Sequence, residues 1–178
     1  TGLPAMTVVT KYPVVGVSAG IIPGGSLLDG QNSEGLSMSG NFLPGFTQYQ
    51  TVTPQDKDYQ SILTFGGWAL GTFANVAELK QALKTMKVWA DDSLPTGPTP
   101  ATIHFVFVDR AGAGIVVEYI GGEVKIHDNV AHVLTNAPTY DWHLKNVRNY
   151  LSLSTVGVQQ RHNGLQPRRR PANPWGIR

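Results

Sequence analysis

The chain has 178 residues, 41% of them apolar, which is enough for one domain with a sizeable core and too few to expect two. No run reaches the uninterrupted apolar length of a membrane-spanning helix, and the first residues lack the basic-then-apolar order of a signal peptide, so the sequence reads as soluble and leaves the compartment open. There is no cysteine, which excludes disulfides, thiolate metal sites and a cysteine nucleophile from these 178 residues. The net charge of +2 hides an asymmetry: residues 1–150 carry 9 Lys and Arg against 12 Asp and Glu, whereas residues 151–178 carry 5 basic residues and no acid. Arg168, Arg169 and Arg170 stand among Pro167, Pro171 and Pro174 without interleaved aromatics. They read as a disordered tail over 155–178 and not as a nucleic-acid surface. Neither nucleic acid nor membrane is expected as a partner.

In chain order, apolar and β-branched runs at Met6–Thr10 and Val14–Ser18 suggest strands, separated by Pro13 and followed by a glycine-rich loop over Gly20–Gly25. Asp29, Asn32 and Glu34 suggest a tight polar turn ahead of a strand over Gly35–Phe42. A long polar connection then runs from Pro44 to Asp58. Ser61–Phe73 is apolar on most sides and predicts a buried helix, with Gly66 and Gly67 against it. Asn75 and Glu78 form an approximate capping box for a second helix whose stripe is Val76, Leu79, Leu83 and Met86. Asp91–Pro100 is a loop. Thr102–Val108, Gly114–Ile120 and Glu123–His127 predict an antiparallel meander with a hairpin turn at Gly121-Gly122. Ala131–Leu134 reads as a further strand. A last helix, from about Tyr140 to Leu151, takes Thr139 as cap and Tyr140, Leu144, Val147 and Leu151 as its buried stripe. The resulting class is α+β, one domain over 1–154, because each helix must bury its stripe on a sheet face.

Several motifs that could carry chemistry are explained by structure. Asp29, Asn32 and Glu34 lack further ligands at calcium-loop spacing, so no metal site is expected. Glu118 falls within a strand and reads as a satisfied structural carboxylate. His104, His127, His132 and His143 lack zinc-ligand spacing, and His104 suits a sheet position. Gly16-Val17-Ser18-Ala19-Gly20 matches a nucleophile elbow by letters, but Ile21-Ile22-Pro23-Gly24-Gly25 cannot supply the helix that motif needs. No phosphate-binding or dinucleotide loop is present, and no cofactor is expected. Asn136 lies on the turn between the predicted strand and the last helix. It serves either to hydrogen-bond its own turn or to face a reacting carbonyl.

The segment Val133-Leu134-Thr135-Asn136-Ala137-Pro138-Thr139-Tyr140-Asp141-Trp142, with Asn146-Val147-Arg148-Asn149-Tyr150, Asp29-Gly30-Gln31-Asn32-Ser33-Glu34-Gly35-Leu36 and Ile115-Val116-Val117-Glu118-Tyr119, resembles the choloylglycine hydrolase family. That family includes bile salt hydrolases, penicillin V acylases and some acyl-homoserine lactone acylases. The likeness runs from about Met6 to Tyr150. It implies the four-layer αββα sandwich of N-terminal nucleophile hydrolases, and hydrolysis of a linear amide by an N-terminal cysteine whose own amine is the base. Asn136 matches the position of an asparagine donor to the oxyanion. The second donor position falls on Phe42 without gaps, or on Asn41 with a shift of one, and Phe42 has no side-chain donor. The loops over Gly20–Gly25 and Asp91–Pro100 are placed by the resemblance to line the substrate side, with Ile21, Ile22, Leu94 and Pro95 holding an apolar acyl group.

The same register puts Thr1 several dozen residues into the family sequence, so the nucleophile is expected outside this chain, and Thr1 is not it. After Ser154 the family pattern gives way to the arginine tail. The expectation is an inactive central part of an amidase acting on a small-molecule amide, prone to aggregate or to form homo-oligomers because sheet edges and one sheet face lack cover. A non-catalytic binding or structural domain on the same fold is the competing reading.

Overall fold

The computed structural model describes residues 9–18, 26–90 and 101–151. In chain order the elements are β1 (Val14–Val17), β2 (Asp29–Asn32), β3 (Ser37–Phe42), β4 (Tyr59–Ser61), α1 (Ile62–Thr72), α2 (Val76–Ala82), β5 (Lys87–Trp89), β6 (Ile103–Val108), β7 (Gly114–Ile120), β8 (Glu123–Asp128) and α3 (Tyr140–Val147). Six strands make one antiparallel sheet in the order β1-β2-β3-β6-β7-β8, and β4 and β5 form a separate parallel pair. Sequence patterning finds the long strands because Ile103–Val108 and Gly114–Ile120 are continuous runs of strand formers. It overlooks β2, whose Asp-Gly-Gln-Asn has poor strand propensity and is held only by its two neighbours. Gly16 and Gly30 face each other across β1 and β2, and a Cβ on Gly16 would sit 2.5 Å from the Asp29 carbonyl oxygen.

Helices α1 and α2 cover one face of the sheet. Phe65 of α1 is fully buried, with ring centroids 5.0 Å from Phe105, 6.0 Å from Phe107 and 6.2 Å from Tyr119. Val76, Leu79 and Leu83 add the α2 stripe, and Met38, Ile115 and Val117 complete the sheet side of the core. Gly66 is tolerated inside α1 for a packing reason: a Cβ there would meet the Met38 thioether methyl at 2.7 Å, so glycine lets the helix lie close on β3. Asn75 caps α2 as the spacing predicts, and Glu78 reaches back one residue further, to the N–H before the cap. Asn75 Oδ1 accepts from Glu78 N at 3.0 Å, and Glu78 Oε2 accepts from Ala74 N at 3.0 Å.

The C-terminal carbonyls of α1 are satisfied from outside the helix. Ala69 O accepts from Phe73 N, and Gly71 O accepts from Lys11 N and Tyr12 N. Buried Asn32 supplies the rest: its Nδ2 donates to Leu70 O at 2.8 Å and Phe73 O at 2.7 Å, while its Oδ1 accepts from Glu34 N at 3.1 Å and Leu36 N at 3.0 Å. All four hydrogen-bonding sites of the amide are therefore used. The polar turn read from Asp29–Glu34 exists, and one of its members is also the helix stop.

Five expectations need correction. Residues 131–134 form no strand, and residues 9–10 of the first predicted strand are not in one either. Helix α2 ends at Ala82, with Met86 in the turn beyond it. Helix α3 ends at Val147, and of its predicted stripe only Tyr140 is buried, Val147 being 47% and Leu151 75% exposed. Thr139 occupies the N-cap but makes no capping bond, because its hydroxyl donates to Asp141 Oδ1 instead.

Strand alternation sends His104, Val106, Val116 and Glu118 to the second sheet face. The segment 129–139 and the start of α3 cover the β6 and β7 part of that face, so His104 and Glu118 are buried. Toward β1 the same face is open, with Val15 76% and Val17 63% exposed.

Candidate active site

The chain reaches Asn136 along a segment stitched to the end of β3. Ala137 N donates to Phe42 O at 2.7 Å, and Phe42 N donates to Asn136 Oδ1 at 2.9 Å. His143 on α3 meets the Asn136 carbonyl oxygen through Nε2 at 2.9 Å. A backbone N–H can only donate, so the atom facing Phe42 must be the amide oxygen. The orientation of the carboxamide follows from chemistry. Its Nδ2 takes no acceptor among the described residues. The Asn136 side chain thus bonds the end of β3 and not its own turn.

Asn41 and Phe42, the two candidates for the second donor, adjoin Asn136. Asn41 stands opposite His104 in the β3–β6 register, so its side chain lies on the second sheet face. Phe42 is 63% exposed and is therefore not the core residue its apolar side chain suggests. What Phe42 contributes to the site is its backbone, which fixes Asn136 from both sides of the peptide.

Beneath this turn lies a buried polar network. His104 Nδ1 is 2.9 Å from Glu118 Oε1, and His104 Nε2 is 2.9 Å from Thr135 O. Glu118 Oε1 also accepts from Tyr140 N at 2.9 Å, and its Oε2 lies 3.5 Å from His127 Nε2. Burial opposes ionisation of Glu118, but the hydrogen bonds from His104, His127 and the Tyr140 amide outweigh it and hold the carboxyl at about 2. The Tyr140 hydroxyl donates to Asn129 Oδ1 at 3.0 Å and accepts from Ala131 N at 3.2 Å. Sequence reading identified Glu118 as a satisfied carboxylate and His104 as a sheet residue. It did not join them, since residues 104 and 118 meet only through strand pairing.

An apolar chamber of about 270 Å³ opens beside the turn, lined by Val133, Leu134, Tyr140, Leu144 and Val147 among others, with Thr135 and His143 at its wall. No sequence signal marked it. Ile21, Ile22, Leu94 and Pro95, the residues expected to hold an acyl group, lie outside the described residues. No group of three or more His, Asp or Glu among the described residues is arranged to hold a metal ion. Asn32 and Glu34 are engaged in the turn before β3, and no described helix is long and apolar enough to cross a membrane.

The described residues thus hold an antiparallel sheet, helices on one of its faces, and an oriented carboxamide beside the end of β3. A family model for linear amide C–N hydrolases of the choloylglycine hydrolase family matches residues 4–168, extending beyond the motif-bearing part of the sequence at both ends. The chain belongs to this family. It is 33% identical over 144 residues to a bile salt hydrolase/transferase of Clostridium perfringens, a match covering 81% of this chain and 44% of that protein. A crystal structure of a variant of the conjugated bile acid hydrolase from the same organism superposes with a TM-score of 0.76 at 31% identity, over 89% of this chain and 48% of the other. Penicillin V acylase from Agrobacterium tumefaciens superposes with a TM-score of 0.68 at 26% identity, over 83% and 43%. The chain thus spans about half the length of the relatives it matches. Its fold is that of the N-terminal nucleophile hydrolases, the αββα sandwich, of which the described residues supply a six-stranded sheet and the helices upon it.

Proposed function

We propose that this chain supplies the oxyanion-binding part of an active site that hydrolyses a linear amide, with Asn136 Nδ2 as the donor. The observation that carries the reading is the bond from Phe42 N to Asn136 Oδ1, which leaves the opposite end of the carboxamide as a fixed, unspent donor. A donor held before the reaction begins stabilises the oxyanion without reorganising, and such a group typically contributes about 2.7–4 kcal/mol. Asn41 is favoured over Phe42 as a second donor, because its side chain has an N–H and shares the sheet face on which the turn lies. The nucleophile is supplied from outside these 178 residues, which contain no cysteine, so the chain alone has no hydrolytic activity. The substrate is a small amide with an apolar acyl group. Conjugated bile salts, penicillin V and acyl-homoserine lactones are the classes to screen, with Ile21, Ile22, Leu94 and Pro95 on the acyl side.

The test is a chimera in which residues 6–150 replace the matching segment of the Clostridium perfringens bile salt hydrolase, assayed on conjugated bile salts. Asn136→Ala should lower kcat by about 10²–10³ while leaving KM nearly unchanged, as removal of one oxyanion donor does. An Asn136→Ala chimera as active as its parent would sink the reading and favour a binding domain that has shed the chemistry.

A further inference from the structure

We infer that His104 is a doubly protonated positioning residue, an imidazolium that clamps Glu118 to the Thr135 carbonyl and thereby sets where the Asn136 amide is held. The ring is wholly buried, and its two nitrogens face two acceptors, Glu118 Oε1 and Thr135 O, each at 2.9 Å. A carbonyl oxygen cannot donate. Glu118 Oε1 also accepts the Tyr140 N–H, and the hydrogen bonds that converge on this carboxyl hold it ionised, so toward the ring it can only accept. A neutral imidazole has one donor and one acceptor nitrogen, and would leave two lone pairs opposed at hydrogen-bonding distance in a site closed to water. Two ring protons remove that conflict, and the Glu118 carboxylate balances the charge.

The groups around the pair come from every neighbouring element. His127 approaches Glu118 Oε2 from β8, and Lys125, opposite Glu118 in the β8 register, is paired with Glu123. Tyr140 packs from α3 and uses its hydroxyl on Asn129, and Asn41 stands beside His104 on β3. None of these competes for His104 Nε2, which is committed to Thr135. The clamp acts at two points, residue 135 just before Asn136 and residue 140 four residues after it. With Phe42 as the third point, the turn carrying the amide is pinned on three sides.

The experiment uses the full 178-residue chain labelled with ¹⁵N. Long-range ¹H–¹⁵N correlation at pH 7 should place both His104 nitrogens in the protonated range, with two slowly exchanging ring protons; one protonated and one bare nitrogen would overturn the inference. Replacing the ring then tests the clamp. In His104→Leu, the Phe42 backbone amide and the Asn136 side-chain amide resonances should shift while those of Phe65 and Leu79 in the helix layer stay put. In His104→Gln, whose amide can still donate to Thr135 O, they should return toward their original positions. A folded His104→Leu with both resonances unmoved would equally overturn the inference, and if that variant fails to fold, the imidazole spectrum alone decides. The inference concerns where the Asn136 amide is held, building on the site reading above. Failure of the oxyanion role in the chimera would leave these spectra as expected.

Discussion

Exchanging Asn32 for aspartate changes one end of one side chain and tests how α1 is terminated. Asn32 is 4% exposed, and its Oδ1 accepts two backbone N–H groups that a carboxylate would keep. The Nδ2 end is different. It donates to Leu70 O and Phe73 O at 2.8 and 2.7 Å, and Asn32→Asp places a charged oxygen against both carbonyls. Leaving a buried acceptor without its donor costs about 1–3 kcal/mol, so two of them cost about 2–6 kcal/mol. A negative charge at a helix C-terminus adds to that cost. The loss is a large share of the roughly 5–15 kcal/mol that holds a domain together. Urea unfolding followed by far-UV circular dichroism reads this loss. The pH dependence has a definite sign. The introduced carboxyl, buried among acceptors, has a folded-state pKa raised above the unfolded value near 3.9. The penalty is therefore complete above the raised folded value and shrinks as the pH falls from there toward about 3.9, because the protonated acid regains one donor. Equal midpoints for parent and variant at pH 7, or a deficit that widens on acidification to pH 5, would refute the account.

Asn75→Ala removes the side-chain acceptor for Glu78 N and should cost about 1 kcal/mol in thermal or urea unfolding, with no change in the far-UV spectrum of the folded state. Glu118 has its folded pKa depressed to about 2, so its contribution is present above the unfolded carboxyl value near 4.3 and is lost as the pH falls through about 2. Acid titration followed by Tyr140 amide exchange should show the 135–140 segment loosening in that window, and Glu118→Gln should flatten the profile. Val15 and Val17 stand exposed on the open sheet face, so the isolated chain should associate. Size-exclusion chromatography with light scattering checks this, and a clean monomer at high micromolar concentration is the contrary result.

What could be read from the residues depended on the range over which the interactions act. Helix α1, the cap at Asn75 and strands β6 to β8 follow from periodicity and turn chemistry within a dozen residues, and all are present. Strand β2 was hidden, since Asp-Gly-Gln-Asn becomes a strand only between two partners that bring their own hydrogen bonds. The pair β4 and β5 was hidden too: three residues each carry no period, and their alignment is set by the helices between them. The α3 stripe misled because period 3.6 reports amphipathicity but not what lies opposite, and beyond Tyr140 the described residues leave that face uncovered. Asn136 is marked in the sequence by its motif. Its oxygen is fixed by Phe42, 94 positions earlier in the chain, which no local pattern encodes.

The parallel pairing of β4 with β5 also bears on the order of assembly. Tyr59↔Lys87, Gln60↔Val88 and Ser61↔Trp89 close a βααβ unit whose two ends finish side by side, and Gln50 N and Lys87 N bond backbone carbonyls at its margins. Strands β3 and β6 flank this unit and pair from Ser37↔Val108 to Phe42↔Ile103. A chain forming that ladder directly would first have to close a long flexible loop, at an entropic cost that grows with the logarithm of its length. Once the helical unit has shut, its ends are already neighbours and the remaining search is short. Early consolidation of residues 59–89, seen as amide protection ahead of the β3–β6 ladder in pulse-labelling, is the kinetic signature of such a hinge-first route.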